Sequence, residues 1–131
     1  MMKNRNKVIE YVNDCTNSYC AVVNEDGKCK VLHVLYKRVT ESIAVLAVDN
    51  KGIEAISNAA NQNFSVVFWD KIHGYQFKGK RISGEGAKEH CCELDKLKED
   101  IAHAFSGSFI MCSIDDIYNV TPGKYAGKLV G

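Results

Sequence analysis

Two hydrophobic rhythms run along this chain, and each predicts its own kind of element. Val8, Val12 and Cys15 recur on one face of residues 4–15, with Ile9 beside them, which is the spacing of a short amphipathic helix. Tyr19 to Asn24 (YCAVVN) is rich in β-formers, and the Asp26-Gly27 that follows is a hairpin signal. Lys28 to Val39 (KCKVLHVLYKRV) supplies a long partner strand. A turn near Thr40 to Ser42 leads into Ile43–Val48, so the first half reads as a meander of three strands.

The stretch VLAVDNKGIEAISN, Val45 to Asn58, changes rhythm at a corner. An apolar run stops at Asp49, and an apolar spacing near three and four begins at Ile53. This predicts a strand running into a helix from about Gly52 to Asn61, with Ile53, Ile56 and Ala60 on its buried side. Phe64 to Asp70 (FSVVFWD) is a fourth strand and Lys71 to Gly74 a turn. Tyr75 to Ser83 (YQFKGKRIS) alternates as a fifth strand with Gly79 inside it, and a glycine there marks a bend, a bulge or a close approach. Leu94, Leu97, Ile101 and Phe105 predict a helix over Glu93 to Phe105, ended by Ser106-Gly107. Phe109 to Val120 is the last strand, with a bulge at Asp115-Asp116. A glycine-rich, basic tail follows. Six antiparallel strands with short helices between them form a mostly β domain over residues 1–131. A barrel is its most economical closure, because it removes exposed edges.

Composition narrows the function classes. A chain of 131 residues that is 46% hydrophobic can bury a core without staples. A net charge of +1, from 17 basic and 16 acidic residues, argues against a broad nucleic-acid surface. No apolar run approaches a membrane span, and no h-region follows MMKNRNKVIEYV. The expectation is a soluble cytoplasmic protein, with its six cysteines as free thiols. No CxxC is present, and the adjacent Cys91-Cys92 after His90 would close a tetrahedral metal site poorly.

The corner Asp49-Asn50-Lys51-Gly52 carries the sharpest candidate chemistry. Unpaired amides, the Lys51 ammonium and an unobstructed glycine suit an anion such as a phosphate. The same residues also suit a plain turn in which Asp49 or Asn50 caps the helix. His33 among valines and leucines is either a hydrogen-bonded structural residue or a ligand. Trp69 can stack on a flat ligand or fill the core. Gln76 and Lys78 share one face of their strand, opposite Tyr75 and Phe77. Asp115 and Asp116 point to opposite sides, which discounts paired acid–base work.

The hairpin CAVVNEDGKCKVLHVLY, the corner AVDNKGIEAISN, the strands FSVVFW and YQFKGKRIS and the tail IYNVTPGKYAGKLVG together resemble the pyridoxamine 5′-phosphate oxidase-like flavoproteins, the FMN-binding split barrels. The resemblance covers nearly the whole chain from Tyr19. It implies a six-stranded antiparallel split barrel that forms a homodimer, with FMN in a groove between subunits. It places the flavin phosphate at Asn50, Lys51 and Gly52, and the backbone of Leu32, His33 and Val34 along the ring. Trp69 and Gln76 fall near the other walls. The family commonly has an arginine in the second strand, where this chain has Leu32, and a threonine or serine before the lysine, where it has Asp49 and Asn50. The implied activity is hydride or electron transfer to a small acceptor. The alternative is a non-catalytic module on the same barrel, holding flavin or haem, with His33, His73, His90 or Cys112 as candidate axial ligands. A thiol-based redox sensor is a third reading, resting on the cysteines alone.

Overall fold

The computed structural model describes residues 4–15, 17–24, 27–54, 62–71, 73–83, 85–101 and 107–130. Its elements in chain order are α1 (Arg5–Asp14), β1 (Asn17–Val23), β2 (Cys29–Val39), β3 (Ile43–Val48), α2 (Asn50–Glu54), β4 (Asn63–Asp70) and β5 (His73–Ile82). There follow α3 (Glu85–Lys88), α4 (Cys91–Ile101), β6 (Ser108–Ser113), β7 (Asp116–Asn119) and β8 (Lys128–Leu129). β1, β2 and β3 form the expected meander, and β3 pairs onward with β6. β5 pairs with β6 on one side and β4 on the other, and β4 returns to β1. Six strands thus close an antiparallel barrel, while β7 and β8 extend the sheet from β5.

Alternation decides what fills the barrel. Cys20 and Val22 of β1, Leu32 and Val34 of β2, Phe64, Val66 and Phe68 of β4, and Tyr75 and Phe77 of β5 are buried together. β3 is buried at every position. Its Ala44, Leu46 and Val48 face the barrel interior, whereas Ile43 and Val45 join Leu97 of α4 and Met111 of β6 in a second cluster. A strand covered on both faces must be apolar throughout, which accounts for the unbroken IAVLAV run. Val8, Ile9 and Val12 bring α1 onto the main core. Asn13 fastens it: its Nδ2 donates to the Val39 carbonyl and its Oδ1 accepts the Val39 N–H, both at 2.9 Å.

Several boundaries differ from the sequence expectation. α2 begins at Asn50 rather than Gly52, because Asp49 caps it; Ile56 and Ala60 lie outside the described residues. The fifth strand starts at His73 rather than Tyr75, since β4 and β5 stay in register down to the Asp70–His73 pair. α4 begins at Cys91, and its expected end at Ser106 and Phe105 lies outside the described residues. α3 and β8 carry too little periodicity to be foreseen. The single last strand proves to be two, β6 and β7, divided at Ile114-Asp115. Cys112 faces Arg81 but Asp116 faces Lys78, so the register slips by one residue between them, as at a bulge.

Candidate functional site

The residues that face outward from β2, β1, β4 and β5 form one continuous surface. Tyr19 pairs with His33 on one side and Val67 on the other; Val67 in turn pairs with Gln76, and Gln76 with Tyr118. Because side chains alternate along each strand, this row stands outside the barrel while its neighbours fill it. Trp69 stacks on Tyr19 with ring centroids 5.5 Å apart and planes 13° from parallel. His33 lies on the other side of Tyr19 at 4.9 Å. The three rings make an outward aromatic strip, and Tyr19 itself is 45% exposed. Trp69 is therefore not a core residue. Tyr19 was not singled out from the sequence, although its alternation with buried Cys20 and Val22 already placed it outside.

The Lys51 corner opens at one end of this surface. Val48, the last residue of β3, pairs with Val34, so the corner begins beside the His33 end of β2. Before Val34, the Cys29–His33 half of β2 has a strand neighbour only in β1 among the described residues. Leu32 and Val34 send their side chains into the core, leaving only backbone for an outside group to meet. Gly52 follows in the same short helix.

Within the corner, both readings of the sequence have physical content. The Asp49 carboxylate accepts the Lys51 N–H at 2.8 Å, and its carbonyl accepts the Ile53 N–H at 3.2 Å, which is the expected cap. Asn50 Oδ1 accepts the Ser108 hydroxyl at 2.6 Å, tying the corner to the start of β6. Asp49, Asn50 and Lys51 are all exposed. The Lys51 side chain is thus open to an anion even though its own amide is engaged.

Across the face, the Gln76 amide Nε2 donates to Ser65 Oγ at 2.9 Å. The other candidate ligands are scattered. Cys112 is buried inside the barrel, and burial pushes its thiol pKa far up, so it cannot reach a group on the outer surface. His73 begins β5 beside Tyr11 of α1, with ring centroids 6.3 Å apart. His90 lies in the turn between α3 and α4, its N–H donating to Ala87. Only His33 of this set joins the aromatic strip.

A polar nest that the sequence did not signal lies under α1. Lys37 Nζ donates to the Cys15 carbonyl and lies 5.7 Å from the Phe68 ring centroid. Burial lowers its pKa, opposed by the Cys15 thiol and Asp14. Burial also raises the pKa values of Tyr11 and Tyr75, with the Cys15 thiol adding to both. Among the described residues no group of three or more His, Cys, Asp or Glu is placed to hold a metal ion, and no helix is long and apolar enough to cross a membrane.

No family model matches this sequence, and neither does any curated protein. Solved structures do resemble it. HupZ of Group A Streptococcus matches over 92% of this chain and 98% of its own, at 17% identity and a TM-score of 0.67. An FMN-binding protein from Syntrophomonas wolfei subsp. wolfei matches over 92% and 86%, at 13% identity and a TM-score of 0.60. General Stress Protein 26 from Bacillus anthracis str. Sterne matches over 91% and 93%, at 16% identity and a TM-score of 0.52. The fold is that of the pyridoxamine 5′-phosphate oxidase-like split barrels.

Proposed function

We propose that this protein binds FMN between two paired barrels and passes hydride or electrons to a small acceptor. One coincidence of position carries the reading. The exposed Lys51 corner follows Val48, whose partner Val34 adjoins His33 on the one-sided edge of β2, and His33 leads into the strip of Tyr19 and Trp69; this neighbourhood supports a shared site. Lys51, with Asn50 and Gly52, would receive the phosphate through a charge-assisted contact. The backbone of Leu32, His33 and Val34 would meet the polar edge of the ring, with Trp69 and Gln76 as further walls. The same face exposes Val31 (66%) and Leu35 (44%), which favours a second copy of the chain as its cover. FMN supplies the redox chemistry when bound, and the protein's part is to hold, orient and shield it.

These residues fit FMN with one reservation built into their charges. The Asp49 carboxylate lies on the amide of Lys51 and would repel a phosphate oxygen brought there. That feature favours the second reading, a module that holds a flat ligand without turnover, with the exposed His33 imidazole as the axial ligand if the ligand is haem.

The visible spectrum of the purified protein separates these readings. Flavin bands, or quenching of added FMN fluorescence, support FMN. A Soret band on adding haem that is lost in His33→Ala supports the second. Reduction by a nicotinamide nucleotide followed by reoxidation distinguishes enzyme from carrier. A colourless protein that quenches no FMN overturns the main reading.

A further inference from the structure

One row away from the aromatic strip, the outer face holds a cleft of about 490 Å³ between β1, β4 and β5. That is within the roughly 300–1,000 Å³ range of small-molecule sites. Ala21 and Val23 give it an apolar wall, and Ser65, Gln76 and Lys78 a polar one. The Gln76 amide donates to Ser65 Oγ at 2.9 Å, so the Ser65 hydroxyl hydrogen is left to donate elsewhere. Lys78 extends over the Tyr118 ring, 5.1 Å from its centroid. Lys80, on the same face of β5, donates to Asn63 Oδ1 at 3.2 Å, and Asn63 lines the cleft. Lys78 therefore lines the cleft, with its ammonium at the β7 side over Tyr118, and Lys80 lies beyond the lining, bonded to Asn63; no carboxylate is among the described lining residues. Asp116, opposite Lys78 on β7, is the nearest acid by register and lies outside the lining.

We propose that this cleft binds a small organic monoanion, a carboxylate carried on a compact apolar or aromatic body. The body packs against Ala21 and Val23, the carboxylate faces Lys78 with Lys80 behind it, and the Ser65 hydroxyl donates to one oxygen. Lysine here acts as a point charge with no arginine fork beside it, which suits a single negative charge. The site needs no flavin, but it adjoins the face assigned above to a second copy, because Ala21 pairs with the exposed Val31. Lys78 is no part of the Lys51 corner, and Gln76 alone is shared.

The test is an amide-resolved NMR titration of the full chain, free of cofactor, with benzoate, neutral benzamide and acetate as probes. Benzoate should shift the amides of Ala21, Val23, Ser65 and Lys78, and bind at least tenfold more tightly than either benzamide or acetate. Lys78→Ala should weaken benzoate tenfold or more and leave FMN affinity unchanged, while Lys51→Ala should leave benzoate binding unchanged. Lys78 is exposed, so its removal does not threaten the fold, and Lys78→Gln serves as a second variant. Equal affinity for benzoate and benzamide, shifts confined to other parts of the barrel, or full benzoate binding in both Lys78 variants overturns the proposal. None of those outcomes bears on whether FMN binds at the Lys51 corner.

Discussion

Gly79 backs so closely onto Ser113 that a Cβ built on it would lie 1.8 Å from the Ser113 carbonyl oxygen. Beside this contact, the Lys80 N–H donates to Ser113 Oγ at 3.0 Å, and the Asp115 N–H donates to the Lys78 carbonyl at 2.8 Å. These contacts join β5 to the break between β6 and β7. Among the described residues the β5–β6 ladder pairs Arg81 with Cys112 and Ile82 with Met111, so the Gly79–Ser113 approach stands beside the closing seam of the barrel.

Gly79→Ala should therefore strain the seam rather than merely stiffen a strand. The obstacle is backbone, which cannot rotate away like the end of a long side chain. We expect a loss of about 1–3 kcal/mol or more, the range for forcing an extra carbon into a packed site. Urea unfolding would show it as a lower midpoint at unchanged slope. An alanine variant with the parent's midpoint would mean that β5 and β6 separate at no cost.

The seam also shows how far the sequence could be read. Gly79 inside an alternating strand signalled a bend, a bulge or a close approach, of which the structure shows the last, and the acidic pair after Ile114 signalled a bulge. What the sequence did not reveal is that each explains the other, because strand partners 34 residues apart leave no local trace. The apolar run of β3 marked a buried strand, and the two apolar clusters on its opposite faces supply the reason. The aromatic strip was half legible. His33 and Trp69 stood out by residue type, but their connection through Tyr19 depends on cross-strand register. Lys37 gave no sign of its burial, since a lysine near the end of a long strand looks the same whether it meets water or a carbonyl under a helix.

Charge at the α4 end gives a pH test. Arg38 Nε donates to Glu93 Oε2, and this contact, with a smaller contribution from Lys96, holds the Glu93 pKa below its ordinary value. A carboxylate depressed in the folded state stabilises above its unfolded value and loses that contribution as pH falls through the folded one. Glu93→Gln should thus be less stable than the parent at pH 7. The difference should shrink as pH drops below about 4.3, the ordinary glutamate value, and added salt should reduce it at any pH. Urea midpoints of the two proteins between pH 7 and pH 3 check this. A difference that grows on acidification would contradict the sign.

The six cysteines divide by exposure, and their reactivity should follow. Cys29, Cys91 and Cys92 are exposed, whereas Cys15, Cys20 and Cys112 are buried. Burial raises the Cys20 thiol to about 12 and also raises those of Cys15 and Cys112. At pH 8 a thiol reagent should modify the first three quickly and reach the others only as fast as the protein opens. Mass spectrometry over a labelling time course gives the order. Rapid labelling of Cys20 or Cys112 in the folded protein would revive a redox role for the barrel interior.

The Lys51 corner offers a pair of substitutions with opposite expected signs. Lys51→Ala removes the exposed ammonium and should weaken FMN binding by about 1.5–3 kcal/mol, the range for a hydrogen bond to a charged group. Asp49→Asn keeps a side-chain oxygen to accept the Lys51 N–H while removing the negative charge. It should tighten FMN binding without lowering stability. Fluorescence-quenching titrations of the two variants measure both effects, and a urea midpoint for Asp49→Asn verifies that the cap survives. A helix cap with no ligand role predicts no change in FMN affinity for either variant. An anion seat predicts that the two affinities move in opposite directions, and that both differences narrow as salt rises, because each arises from charge near the same phosphate.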